Sequence, residues 1–232
     1  MVIFMKKIAI SIFIFLLAMC ATTTSQADSD PIENAWNGTW ESEYYILLIY
    51  QNGTAISGSY EPKDSTLYDP GLLKGMLSED GKTFSGIWTE SGPLSVVLSD
   101  DGMSISGSYG IRIDKKLTES DMYPTTRTRM EDSFDPENPW NGTWRGERTI
   151  TTWIQNGTFV SGTYSPLPDI DDEPGISEGT VSGDGNSLKG KWIEAGNFSF
   201  TLDDDLMAFT GTYDITLNDP TGTDTWNGKK IM

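Results

Sequence analysis

The sequence Trp36-Asn37-Gly38-Thr39-Trp40 returns letter for letter at Trp140-Asn141-Gly142-Thr143-Trp144. A shorter version, Trp226-Asn227-Gly228, stands near the end of the chain. The likeness extends well beyond the motif, because residues 36–109 align with residues 140–213 at a constant offset of 104 without a gap. In that alignment 32 of 74 positions are identical. The chain therefore contains an internal duplication, and we call residues 36–130 the first copy and residues 140–232 the second.

Within each copy the apolar residues recur with a period of two, which is typical of β-strands. Phe84, Trp88 and Glu90 fall on one strand face, and Leu94, Val96 and Leu98 fall on another. Asn-Gly pairs between such runs favour two-residue type I′ hairpins, since both central residues of that turn need positive φ. The pattern predicts strands near residues 38–44, 45–51, 54–61, 71–78, 83–90, 93–99, 103–113 and 122–129, with 226–232 as the counterpart of the last one.

These strands predict an all-β fold of two tandem antiparallel meander barrels with about eight strands each. Closure into a barrel removes the exposed sheet edges that short strands would otherwise present. Repeated Gly-x-aromatic pairs suit a curled strand, although they also suit a curved open sheet or a sandwich. We place the barrels at 36–130 and 140–232, with linkers at 28–35 and 131–139.

Gly38-Thr39-Trp40, followed by a hairpin and Ile56-Ser57-Gly58-Ser59-Tyr60, resembles the opening strands of the avidin and streptavidin barrels, a calycin-like fold. The chain is also similar to secreted bacterial and archaeal repeat proteins with Gly-Thr-Trp, Gly-x-Tyr and Gly-x-Trp strands. The resemblance implies the up-and-down barrel. It does not imply biotin binding, because the polar set that avidins place after the first tryptophan reads Glu41-Ser42-Glu43 and Arg145-Gly146-Glu147 here.

The first 27 residues have the features of a secretory signal peptide. Lys6 and Lys7 precede an apolar run over residues 8–18 that is short for a membrane span. Two processing sites compete: cleavage before Cys20 would create a lipoprotein, and cleavage after Ala27 would release the chain. Both predict an extracytoplasmic protein, secreted or anchored to the cell surface, which meets the membrane only through a lipid on Cys20.

Composition excludes several kinds of chemistry. Cys20 is the only cysteine and there is no histidine, so disulfides, usual zinc sites and histidine-based catalytic relays are excluded. The formal net charge of −18 argues against nucleic acid as a partner. Acidic runs at 100–101, 169–173 and 203–205 lack a calcium-loop spacing, and turn chemistry accounts for them. We expect no metal and no cofactor.

The candidate ligand-binding residues are the aromatic and acidic positions that recur in both copies: Tyr60, Trp88, Glu90, Tyr164, Trp192 and Glu194. Each glutamate shares a strand face with a tryptophan, where its pKa would be raised. The alternatives are structural: the rings pack the barrels, and the glutamates face solvent at a barrel rim or accept a bond from backbone or from a tryptophan N–H. A glycosidase would need two facing carboxyls, and we expect Glu90 and Glu194 to lie in separate barrels, so we assign no catalytic residue.

Two further sets of residues carry predictions. Tyr45, Leu47, Ile49 and Trp153 are expected on an outward face, in contact with the other barrel or with a partner. Five asparagines head N-x-Ser/Thr sequons and are glycosylation candidates: Asn37, Asn52, Asn141, Asn156 and Asn197.

Three roles follow from this reading. The first is a non-enzymatic binding module for a small molecule, a glycan or an envelope protein. The second is a structural or adhesion protein of the cell envelope. The third, which we rank last, is a hydrolase that uses Glu90 or Glu194.

Overall fold

We describe the protein from a computed structural model, which covers residues 33–65, 68–112, 121–170, 172–217 and 222–231. The predicted signal peptide and Cys20 lie outside these residues. The strands are β1 (Gly38–Ser42), β2 (Tyr45–Asn52), β3 (Ala55–Pro62), β4 (Gly71–Leu77), β5 (Thr83–Leu98), β6 (Ser104–Gly110), β7 (Met122–Arg129), β8 (Gly142–Arg145), β9 (Thr149–Asn156), β10 (Phe159–Pro166), β11 (Gly175–Val181), β12 (Ser187–Leu202), β13 (Ala208–Asp214), β14 (Thr223–Thr225) and β15 (Gly228–Lys230).

The strands form one antiparallel sheet that closes into a ring. Strands β1 to β12 follow one another as a meander, β15 connects β1 to β13, and β13 pairs with β12. β14 pairs with β13. This confirms the prediction of an all-β, antiparallel fold. Closure leaves the strands of the ring with neighbours on both sides and so removes most unpaired edges.

An additional pairing between β5 and β12 crosses the ring, and we call it the central ladder. It runs from Thr83 opposite Thr201 to Val97 opposite Ser187. The prediction of two strands at 83–90 and 93–99 was wrong, because β5 continues through Gly92. A Cβ atom at Gly92 would stand 1.7 Å from the carbonyl oxygen of Gly110, so this glycine permits a close backbone approach and does not mark a turn.

The central ladder divides the ring into two circuits, and each circuit takes strands from both copies. One comprises β1–β4, the first half of β5, the second half of β12, β13 and β15. The other comprises the second half of β5, β6–β11 and the first half of β12. The strand pairing thus does not show the predicted split into two tandem barrels, one per copy.

Two hydrophobic clusters fill the interior, and each is formed by side chains from the strands of one circuit and the segments next to them. The first core cluster packs Trp36, Trp40 and Phe84 of the first copy against Phe200 and Phe209 of the second. The second core cluster combines side chains of both copies in the same way, and its members include Leu94, Val96, Ile105, Trp140, Trp144, Trp153 and Leu188. Each cluster thus takes side chains from both copies.

The outward face predicted for β2 and β9 was wrong. Leu47, Ile49 and Trp153 are buried, and Tyr45 packs against the first core cluster. β2 is apolar on both faces, so alternation could not distinguish inside from outside. The residues between them, such as Leu48, point to solvent instead.

The Trp-Asn-Gly-Thr-Trp motif is where the chain enters the first strand of each copy. Both tryptophans are fully buried, and the Trp40 indole N–H donates to the carbonyl oxygen of Trp36 at 2.9 Å. The Asn37 side-chain oxygen accepts a hydrogen bond from the backbone N–H of Gln51. The second copy repeats these bonds with Trp144 and Asn141. The motif therefore fixes strand entry and fills the core, and Gly228 pairs beside it at the end of β1.

The predicted hairpins exist, but their turns differ from type I′. Asn52 pairs with Ala55, which makes Gly53 and Thr54 the two loop residues, and only Gly53 has positive φ, at 61°. A positive φ at the first loop residue alone is the pattern of a type II′ turn. The register is displaced by one residue from the one that the Asn-Gly pair predicts.

Candidate functional site

The two repeated glutamates lie directly opposite each other in the central ladder, with Glu90 paired to Glu194. They occupy the same position in the two copies, so the pseudo-twofold axis of the duplication passes between them. Directly opposite residues of antiparallel strands share a face, with Cβ atoms about 4.5–5.5 Å apart. The expectation that Glu90 and Glu194 lie in separate barrels, without facing each other, was therefore wrong.

Each glutamate accepts a hydrogen bond from the tyrosine of its own copy. The Tyr60 hydroxyl donates to Glu90 Oε1 at 2.9 Å, and the Tyr164 hydroxyl donates to Glu194 Oε1 at 2.6 Å. Both glutamates are only 8% exposed, so neither faces solvent at a rim. The tyrosine and the glutamate are 30 residues apart in both copies, so the same bond forms twice.

The tryptophans of the candidate set bind backbone instead of the glutamates. Trp88 Nε1 donates to the carbonyl oxygen of Asp214 at 2.8 Å, and Trp192 Nε1 donates to that of Gly110 at 2.7 Å. Each bond joins one copy to the other. Trp88 on β5 therefore attaches the end of β13 to the central ladder, and Trp192 on β12 attaches the end of β6 to it.

Burial and neighbouring carboxylates govern the ionisation of this region. Burial raises the pKa of Glu90 well above its usual value, and the charges of Asp69, Glu194 and Glu173 raise it further, against the opposing effect of the Tyr60 bond. Burial also raises the pKa of Glu194. The pKa of Asp69 is raised to about 6, chiefly by burial and then by the charge of Asp172. Several carboxyl groups thus converge around the pseudo-twofold axis.

A cavity of about 120 Å³ opens beside Glu90 at one end of the first core cluster. We call it the aromatic cavity. Its lining consists of the rings of Tyr44, Tyr45, Tyr60, Trp88, Tyr213 and Trp226, the carboxyl side chains of Glu43, Glu90, Glu173 and Asp224, and the polar residues Ser42, Thr225 and Asn227. A cavity near 150 Å³ can hold benzene, so this one can take a small organic group or several waters.

Trp226 stands at the centre of the aromatic wall. Its ring centroid lies 5.3 Å from that of Tyr45, 5.1 Å from that of Tyr60 and 5.7 Å from that of Tyr213. Within the described residues its Nε1 is the buried side-chain nitrogen or oxygen that has no hydrogen-bond partner. An unpaired buried donor costs about 1–3 kcal/mol, so the ring contacts of Trp226 have to offset this cost.

Of the candidate residues, the aromatic cavity contains Tyr60, Trp88 and Glu90. Their counterparts Tyr164, Trp192 and Glu194 lie outside its lining. Sequence reasoning missed Tyr45, Tyr213 and Trp226 as members of the site. For Tyr45 the available signal was divergence between the copies, since Thr149 occupies its position in the second copy.

The corresponding space in the other circuit contains an arginine. Strand pairing places Arg127 on β7 where Gly228 stands on β15, because Thr128 lies opposite Arg145 as Lys229 lies opposite Glu41. Arg127 Nη1 donates to the hydroxyls of Thr149 at 2.7 Å and Thr151 at 2.6 Å. Burial lowers the pKa of Arg127, while the nearby Tyr164 and Tyr109 hydroxyls act in the opposite direction.

The sequon asparagines fall into two structural groups. Asn37 and Asn141 use their side chains in the strand-entry motif, whereas Asn52, Asn156 and Asn197 are exposed. Asn197 also donates to Asp214 Oδ2 at 2.9 Å. Glycosylation of these residues stays a prediction.

Most of the acidic runs serve turns. The Asp101 carboxylate accepts bonds from the Ser99 hydroxyl and the Met103 N–H, and Asp203 and Asp205 accept bonds from the N–H of Met207. In the described part of the chain no group of three or more acidic, histidine or cysteine side chains is arranged to hold a metal ion. The same residues include no helix with the length and apolar character needed to cross a membrane.

Comparison of the chain with protein-family models, with curated proteins and with solved structures gave no match. The resemblance to avidin-like barrels therefore stays a prediction.

Proposed function

We propose that the protein is a non-enzymatic binding module of the cell exterior, secreted or lipid-anchored, and that the aromatic cavity is its ligand site. The observation that carries the proposal is a cavity whose lining combines six aromatic residues with four acidic ones. Ligand pockets typically consist of apolar surface with a few placed polar groups, as this one does. We also propose that the two circuits act as two barrels which share the central ladder.

The test is a fragment screen by two-dimensional NMR of the tryptophan indole N–H signals. We expect binding fragments to shift the Trp226 and Trp88 signals. Thr225→Trp would fill the cavity mouth and should abolish these shifts. Thr223→Trp is the matched control, since Thr223 is exposed on the same strand and does not line the cavity. If no fragment shifts either signal, the cavity is not a ligand site.

A structural or adhesion role in the envelope is the second candidate, and the outer face of the sheet favours it. Leu48, Tyr50, Leu72, Met76 and Ile87 are each between 38% and 60% exposed. The first four lie on β2 and β4, and Ile87 lies on β5 beside β4. Ser57 and Ser59 of β3 separate the apolar side chains of β2 from those of β4 and β5, so two exposed apolar stripes run over this face. Replacing Tyr50 and Met76 by serine should abolish attachment to isolated cell envelopes if this role is correct, while the NMR shifts at Trp226 would persist.

We propose no hydrolytic activity. Glu90 and Glu194 are close enough to act together, but Glu194 does not line the cavity and its Oε1 accepts a bond from Tyr164. A bond placed between both carboxyls would have to displace that contact. Hydrolysis of a glycoside panel that disappears in Glu90→Gln would contradict this view.

A further inference from the structure

We propose that the aromatic cavity recognises a small organic cation, with an ammonium group held among its rings and carboxylates. This inference rests on the proposed binding function and adds the chemical class of the ligand.

The first support is the charge of the lining. Glu43, Glu173 and Asp224 contribute acidic side chains besides Glu90, whose raised pKa favours its neutral form, and none of the thirteen lining residues is lysine or arginine. Negative groups in a concave site with low-dielectric walls concentrate cations and exclude anions. An anionic or phosphorylated ligand would therefore be repelled.

The second support is the arrangement of rings. A cation within about 6 Å of an aromatic centroid gains about 0.5–2 kcal/mol, and tryptophan is the best partner. Trp226, Tyr45 and Tyr60 lie against one another around the space beside Glu90. The protein uses the same interaction internally: the Arg129 guanidinium lies 4.2 Å from the Trp144 ring centroid, and the Lys230 ammonium lies 5.3 Å from that of Trp40.

The test compares two probes of nearly equal shape, choline and its neutral analogue 3,3-dimethylbutan-1-ol, by titration of the Trp226 and Trp88 indole signals at low salt. We expect choline to bind on the order of tenfold more tightly than the alcohol. Its affinity should fall on the order of tenfold in Glu43→Gln with Asp224→Asn, two exposed positions whose substitution leaves the core intact. Glu79→Gln with Glu137→Gln is the control of equal charge, and it should bind like the parent protein.

The outcomes separate this inference from the proposed function. If the alcohol binds as tightly as choline and Thr225→Trp abolishes both, the cavity is a ligand site but cation recognition is wrong. If choline causes no shift at millimolar concentration, cation recognition is also wrong, and the fragment screen alone decides the proposed function. Equal losses in the Glu43/Asp224 and Glu79/Glu137 variants would reduce the effect to net charge and overturn the inference.

Discussion

At the scale of single residues, the buried glutamates and tryptophans have the largest energetic consequences. Trp144 is fully buried, and its ring also faces the Arg129 guanidinium. Glu90 is buried among other carboxyl groups, which makes its charged form unfavourable. Trp144 therefore stabilises the fold at every pH, whereas Glu90 lowers the stability of the fold as the pH rises.

Trp144→Ala should lower the free energy of unfolding by about 3–5 kcal/mol, as for other large core deletions. Part of the loss comes from the cavity and part from the contact with Arg129. Urea unfolding followed by circular dichroism measures it, and Ile154→Ala, at a position 66% exposed, is the control and should change little. A Trp144→Ala protein as stable as the parent would refute the core role of the motif.

Glu90→Gln should change the pH dependence of stability. Because the folded-state pKa of Glu90 is raised, the folded protein holds its proton longer than the unfolded chain, so stability is fully present below the unfolded pKa near 4.5 and falls as the pH rises. Asp69 has a pKa raised to about 6, so its contribution to stability is likewise lost as the pH rises from about 4 to 6. Thermal melts from pH 4 to 8 should show a smaller decline for Glu90→Gln than for the parent.

Asp101→Asn should change the pH dependence of stability in the opposite direction, and it serves as the comparison for Glu90→Gln. Hydrogen bonds from the Ser99 hydroxyl and the Met103 N–H lower the pKa of Asp101. Its contribution is therefore present at neutral pH and is lost as the pH falls. If both substitutions changed the melting profile in the same direction, the assigned cause of the Glu90 effect would be wrong.

At the scale of elements, turns and strand continuity decide how the copies combine. The turn between β11 and β12 contains two glycines with different demands. Gly185 has a φ of 80°, whereas Gly183 has no positive φ, and both have open space around them.

Gly185→Ala should cost about 1–2 kcal/mol, because an L-residue is strained in the left-handed region, while Gly183→Ala should be neutral or slightly stabilising. Thermal unfolding of the two variants measures the difference. Equal melting temperatures would show that the turn relaxes into another conformation.

Strand positions were largely predictable, because alternation and turn residues act locally. The strand at residues 122–129 was predicted with the bounds that the structure has. The continuity of β5 through Gly92 was not, since a glycine at a close backbone approach and a glycine in a turn look alike in sequence. The recurrence of tyrosine and glutamate marked half of the site, but Trp226 joins it only through the pairing of β15 with β1, which no local pattern encodes.

At the scale of the whole molecule, the central ladder makes the two copies interdependent. Phe84 and Trp40 of the first copy pack with Phe200 and Phe209 of the second, so a single copy would leave much of its core exposed. We expect a fragment of residues 33–130 to be unfolded as a monomer, or to be folded only as a dimer. Sedimentation with circular dichroism tests this, and a stable folded monomer would contradict it.

The pairing of Glu90 with Glu194 also bears on how the protein arose. Each facing pair of the ladder is matched by the pair of its duplicates: Thr83 faces Thr201, and their duplicates Ser187 and Val97 also face each other. Two identical ancestral chains would therefore pair in the same register. Joining two such chains in one gene retains the interface and frees the halves from identity. Two identical chains would carry the same residue at corresponding positions, so a difference such as Arg127 against Gly228 requires two halves that are encoded separately.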